Sequence, residues 1–234
     1  MTAGNAYVNA TNVGVFVFCP TAMNLDDASL FRNPASRTSS TIFAKGLSEH
    51  LRIQTSSGLP WFHRRICFTL KGASPFNTAA KADFPAIPFN PYIDTSNGME
   101  RPMLNLDLNT SSATLTAQYG FLFKGAQGVD WNDTIIAPVD TTRVSLKFDK
   151  TWTLQSGNAN GIVRERKLWH PMNHNLVYED DESGDVQVSG YYSTTSRVGM
   201  GDYYVVDFIQ AGQGGTSSDI ISIGLNSTMY WHEK

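Results

Sequence analysis

The chain has 234 residues, of which 41% are hydrophobic, 12% aromatic and 17% charged, and its formal net charge is −3. The length fits one large all-β domain over 1–234, and a charged share below the usual figure of about 25% implies a surface that is polar and uncharged or covered by a partner. The charge excludes a globally basic nucleic-acid binder, so any such site must be local. The lack of a run near 18 apolar residues excludes a membrane-spanning helix.

The opening "MTAGNAYVNATN" lacks the basic and apolar regions of a secretory signal. The Asn-x-Ser/Thr sequences at Asn9, Asn109, Asn132 and Asn226 therefore read as chance matches. "VGVFVFC" (13–19) is the continuous apolar run of a strand covered on both faces. Cys19 and Cys67 lie in such runs without C-x-x-C spacing and read as small, reduced, buried hydrophobes.

In 47–54, Leu47, Leu51 and Ile53 alternate with Ser48, His50, Arg52 and Gln54, which predicts a strand with one dry face. After the turn at Gly58-Leu59-Pro60, Phe62, Ile66, Phe68 and Leu70 share one face, and His63, Arg65, Thr69 and Lys71 share the other. Arg64 breaks that pattern and is expected at the strand's wet end. From 72 to 114, Pro75, Pro85, Pro88, Pro91 and Pro102 predict a long irregular excursion, with one helical turn near 78–82.

Strands resume at about 117–124 and 143–154, the latter with Val144, Leu146, Phe148, Trp152 and Leu154 inward and Lys150 out of phase. Residues 161–178 begin charged and end apolar, 202–209 read as doubly buried, and 220–231 alternate with Ile221, Ile223, Leu225, Met229 and Trp231 inward. About eight antiparallel strands joined by long polar loops predict a single jelly-roll sandwich.

Catalytic and metal signals are weak. Pro171 denies His170 and His174 the helix that would align them as ligands. Gly212, Gly214 and Gly215 follow a strand but precede another strand, so no helix N-terminus meets a pyrophosphate. The acidic run 179–185 lacks calcium-loop spacing and reads as a solvated loop. Nothing brings Asp130, Asp133 and Glu165 together as catalytic carboxylates, and no nucleophile elbow is present. These observations predict neither an enzyme nor a cofactor nor a metal site.

The local basic signal is better. Trp61, His63, Arg64 and Arg65 form one cluster, Lys147, Lys150 and Trp152 a second, and Arg164, Arg166, Lys167 and Trp169 a third. Rings that stack on unpaired bases beside cations that follow phosphates suit single-stranded nucleic acid. Trp61, His63, Arg64, Arg65, Lys147, Lys150 and Trp152 are the predicted contacts, with Trp152 also a core candidate.

"TIFAKGLSEHLRIQTSSGLPWFHRRICFTLKG" (41–72) resembles the corresponding strand pair of genomovirus capsid proteins, with its Pro-Trp-x-x-Arg-Arg-Ile-Cys-Phe block. "TTRVSLKFDKTWTL", "VRERKLWHPMNHNLVYEDDESGD" and the terminal "STMYWHEK" resemble the related geminivirus capsid proteins in order and spacing. The resemblance implies a jelly roll that self-assembles, in about 60 copies, into a small icosahedral shell around circular single-stranded DNA. It also implies a place in the virion, and in the host nucleus during assembly.

The family's Arg/Lys-rich N-terminal arm has no counterpart in "MTAGNAYVNATN". Subunits at −3 do not neutralise a genome, so the charge balance asks for such an arm or for a strongly one-sided distribution. Phe84, Ile87, Phe89, Tyr92 and Met99, on proline-broken backbone, are expected between subunits. The alternative is a jelly-roll carbohydrate-binding module that uses Trp61 and Trp131 against sugar rings. A glycoside-active enzyme would need two carboxylates about 5–9.5 Å apart.

Overall fold

Alternating and doubly apolar segments become strands over much of the chain in the computed structural model, which describes residues 4–25, 36–95, 98–184 and 186–233. In chain order these are β1 (Ala6–Asn9), β2 (Gly14–Phe18), β3 (Thr41–Thr55), β4 (Trp61–Leu70), β5 (Ile93–Thr95) and β6 (Gly98–Glu100), followed by α1 (Ser112–Leu122). Then come β7 (Ser145–Leu154), β8 (Val163–Val177), β9 (Asp181–Ser183), β10 (Val186–Val188), β11 (Asp202–Ala211) and β12 (Ile220–Glu233). Eight strands form two antiparallel four-stranded sheets, ordered β1-β12-β3-β8 and β2-β11-β4-β7, and β5–β6 and β9–β10 form two short pairs. The protein is an all-β sandwich.

The sheets pack face to face through side chains at alternate positions. Val8, Ile53, Ile221 and Ile223 of the first sheet meet Phe16, Trp61, Leu154 and Ile209 of the second. Further along, Ala44, Leu47 and Met172 meet Phe18, Cys67, Tyr203 and Val205. The alternation expected in β3 and β12 places its apolar residues in this layer.

The second sheet also has a covered back. Val15, Val17, Ile66, Phe68, Tyr204, Val206 and Phe208 pack against Phe76, Leu115, Leu122, Phe123 and Trp131 from the segment between β4 and β7. The proline-rich excursion is therefore largely a cover for this chain's own sheet. Its helix differs from expectation: the predicted strand at 117–124 is α1 with Phe123 just beyond it, and in place of one helical turn at 78–82 there are hydrogen-bonded turns at 74–78 and 80–83. Thr114, Leu115, Gln118 and Leu122 are buried, the 3.6-residue period of a helix lying on a sheet.

Ser111 precedes α1 without capping it. The Asp83 carboxylate accepts instead from the Ala113 and Thr114 amides, each at 2.8 Å, and from Thr114 Oγ1 at 2.6 Å. These bonds hold the Asp83 carboxyl below its ordinary pKa and put a negative charge at the positive end of the helix.

Pro171 sits inside β8, which among the described residues pairs only with β3 and so leaves one side free of ladder bonds. Cys19 and Cys67 are both free and buried, and burial pushes the Cys67 thiol up to about 12. Within the acidic run, Asp180 is tied to the buried Arg37 guanidinium at 2.5 and 2.6 Å rather than solvated, and Arg37 lies 3.8 Å over the Tyr178 ring. Asp185 of that run lies outside the described residues.

Candidate nucleic-acid interface

β4 is buried on both faces, and this decides the fate of its cations. Its even positions Phe62, Ile66 and Phe68 face the excursion, and Arg64 goes with them. Arg64 is buried, not wet: Nε and Nη2 donate to Asp149 at 2.9 and 2.7 Å, and Nη1 donates to the Thr134 and Ala137 carbonyls at 2.8 and 2.7 Å. The odd positions Trp61, His63, Arg65 and Cys67 face the other sheet, where Trp61 is core.

Arg65 is fully buried between two carboxylates. It donates to Asp207 of β11 from Nε and Nη2, each at 2.8 Å, and to Glu49 of β3 from Nη1. Arg101 closes the ring, donating to Glu49 at 2.5 Å and to Asp207 at 2.6 Å. Two guanidinium groups thus balance two carboxylates in a place with little water, where each charge requires its partners. Burial by itself raises the Glu49 carboxyl, but Arg65 and Arg101 overcome it and hold the group at about 2. Asp207 is likewise held well below the carboxylate range, by Arg65 and by the hydrogen bond from His63, against the upward effect of burial.

Burial lowers the His63 pKa more than Asp207 raises it. His63 Nε2 lies 2.7 Å from Asp207, and Nδ1 lies 3.4 Å from Arg166 Nη1. A neutral ring donating from Nε2 and accepting at Nδ1 fits both contacts. The predicted contacts Trp61, His63, Arg64 and Arg65 therefore leave the candidate surface, because packing and ion pairs consume them. The sequence signal for the network was available: Glu49 lies on the apolar phase of its strand, and Asp207 interrupts an apolar run. A charge on a buried phase implies a buried partner.

The other predicted contacts remain accessible. Lys147 and Lys150 are exposed on β7, and Trp152 is half-buried. Among the described residues β7 and β8 each pair on one side only, at the same edge of the sandwich. Two contacts tie them across that edge: the Arg166 guanidinium lies 4.6 Å over the Trp152 ring, and the Phe148 and His170 rings are 5.1 Å apart. Lys150 approaches the Trp152 ring at 5.6 Å, so the half-buried ring is held between two cations.

Arg164 and Lys167 are exposed further along β8. Lys147 also lines a cavity of about 560 Å³ with Lys71, Arg143 and His174. Of the acids here, Asp149 is engaged by Arg64 at 2.7 Å, and Glu165, opposite Arg52 in the ladder, lies 3.6 Å from His50. Among the described residues Arg166 has no carboxylate partner. Burial and the neighbouring Arg65 and Arg164 depress its pKa, the mark of positive charge left uncompensated. An anion bound along this edge would relieve it.

The expected subunit contacts divide. Phe89 is buried in the excursion's own core, Tyr92 stacks on Tyr191 at 4.9 Å, and Met99 packs beside Met23 and Ile42. Intrachain packing satisfies these three. Phe84 and Ile87 are 90% and 46% exposed and stay available to a partner. Trp61 and Trp131, the rings named for sugar stacking, are both buried. No protein-family model matches the chain, and no curated protein is significantly similar to it.

Proposed function

We propose that the chain is a structural capsid protein, a jelly-roll subunit that assembles into a small closed shell around single-stranded DNA. The strand order carries this reading. Counted through the eight sheet strands alone, the first sheet runs first, eighth, third, sixth and the second runs second, seventh, fourth, fifth. Each sheet thus interleaves early and late strands, the arrangement two nested Greek keys produce in a jelly roll.

Two surfaces support the assembly and the cargo. Phe84, Ile87, Leu108, Val129 and Ile136, all between β4 and β7, are exposed apolar residues of the sort neighbouring subunits cover. The β7–β8 edge gathers Lys147, Lys150, Arg164, Arg166 and Lys167 on a chain whose net charge is −3, which supports the one-sided alternative to a basic arm. The carbohydrate reading loses its two named rings to the core.

Electron microscopy and light scattering of the purified protein test the assembly. Closed particles of uniform diameter are expected. A protein that stays monomeric at high concentration and moderate salt, with and without added single-stranded DNA, would overturn the reading.

A further inference from the structure

Among the described residues the outer face of the β1-β12-β3-β8 sheet is the one large sheet face left open, and its side chains are unevenly arranged. Cross-strand register sets them in rows: Gly224, Arg52 and Glu165; then Asn226, His50 and Lys167; then Thr228, Ser48 and Trp169; then Tyr230, Gly46 and Pro171. His232, Phe43 and Asn175 end the series. In these rows the cations Arg52 and Lys167 lie toward one end and the rings toward the other, over a floor of small residues, with Lys45 next to Gly46 at the ring end.

Trp169 and Tyr230 come within 5.8 Å, centroid to centroid, yet stay 48% and 49% exposed. Phe43 is 37% exposed and stacks on His232. A Cβ at Gly46 would fall 2.6 Å from the Trp169 ring. The glycine therefore lets the indole lie low across the sheet with its other side to solvent. Lys167 lies one row from Trp169 and Arg52 two rows away, and Lys45 is the chain neighbour of Gly46; all three are exposed, and the one carboxylate in these rows, Glu165, sits opposite Arg52 and 3.6 Å from His50.

We infer that this face is a stacking platform for a single-stranded polynucleotide. Unpaired bases lie on Trp169 and Tyr230 while Lys45, Arg52 and Lys167 follow the phosphates. An open ring face beside fixed positive charge complements the two parts of a nucleotide, and any base can stack, so the site is sequence-tolerant. A second copy of the chain would cover the rings but would leave the three cations facing a protein whose own charge is only −3. A polyanion satisfies both. Lys167 joins the platform to the β7–β8 edge, so one strand can run over both. The inference rests on the nucleic-acid part of the proposed function and not on shell formation.

The test is fluorescence anisotropy of a labelled oligo(dT) on the full chain, with Trp169→Ala, Tyr230→Ala and the triple Lys45→Ala, Arg52→Ala, Lys167→Ala. Loss of a stacked base should weaken binding about tenfold with the salt dependence unchanged. The triple should lower the slope of log affinity against log salt by about 2. Trp169→Phe should restore most of the affinity. Duplex DNA of equal length, whose bases are already stacked, should respond to the triple but not to the ring variants.

Thermal melts and particle counts run alongside. Should Trp169→Ala unfold the sheet, Tyr230→Ala carries the test. Unchanged oligo(dT) affinity in the ring variants, with or without lost particles, overturns the platform, and lost particles alone would assign the face to subunit contacts. Ring-dependent oligo(dT) binding by a protein that forms no particles would leave the platform standing and sink the shell.

Discussion

Strands β2, β11 and β4 of the second sheet are sealed on both faces, by the first sheet inside and by the β4–β7 excursion outside, whereas the edge strand β7 and the outer face of the first sheet stay open among the described residues. The same residue types behave oppositely in the sealed strands and at the open edge. Arg64 and Arg65 of β4 are locked by carboxylates and carbonyls. Lys150, on the edge strand beside them, lies free over a tryptophan. A cation in a sealed sheet is structural because its desolvation demands a fixed partner, and a cation on an open edge stays available to a ligand.

The largest effect expected from this contrast is at Arg65. Arg65→Met leaves Glu49 and Asp207 sharing one guanidinium in the interior and should cost about 3–5 kcal/mol in urea unfolding. Lys150→Met, one strand away, should move stability by less than about 0.5 kcal/mol. Equal costs would erase the distinction.

The seal itself is tested next. Leu122→Ala, at the end of α1 on the second sheet, should cost about 2–5 kcal/mol and should speed proteolytic cutting between residues 72 and 144. Cutting that starts instead in the exposed strands β7 or β8 would mean that the excursion is not the cover.

Buried acids give two opposite pH dependences. Glu49 is lowered from 4.5 to about 2, so its contribution is whole above pH 4.5 and is lost as the pH falls through about 2. Asp202, which accepts from the Ser193 amide and hydroxyl at 2.9 Å each, is raised by burial from 3.8 to about 6. Its contribution is whole below pH 3.8 and is lost as the pH rises through about 6. Asp202→Asn should therefore melt higher than the parent at pH 7 and together with it near pH 3.5. A gain of equal size at both values would rule out this titration.

The smallest effect expected is at Asp83. Asp83→Ala should speed amide exchange at Ala113 and Thr114 while leaving the β-sheet amides unchanged. Uniform protection along α1 would show that packing alone sets the start of the helix.

The strands were legible wherever one face is dry and the other wet, as in β3 and β12, because a period of two maps directly onto a half-buried ladder. The β4–β7 region was not: Phe76, Leu115 and Phe123 signal apolar burial without naming the surface that receives them. Of the predicted contacts, Lys147, Lys150 and Trp152 fall on an accessible edge, while Trp61, His63, Arg64 and Arg65 do not.

The sequence by itself determined a β protein of about eight main strands, with two thiols in apolar runs and basic-aromatic clusters in three places. Only the tertiary structure decided which cluster meets solvent. Residue type states what a side chain can do, but whether Arg65 binds a phosphate or a buried carboxylate depends on what packs over its strand. Here that cover is supplied by Glu49, Arg101 and Asp207, which are 16, 36 and 142 positions away from Arg65 in the chain. Periodicity along a single strand carries no record of partners so distant, and the packing of the two sheets is what brings them together.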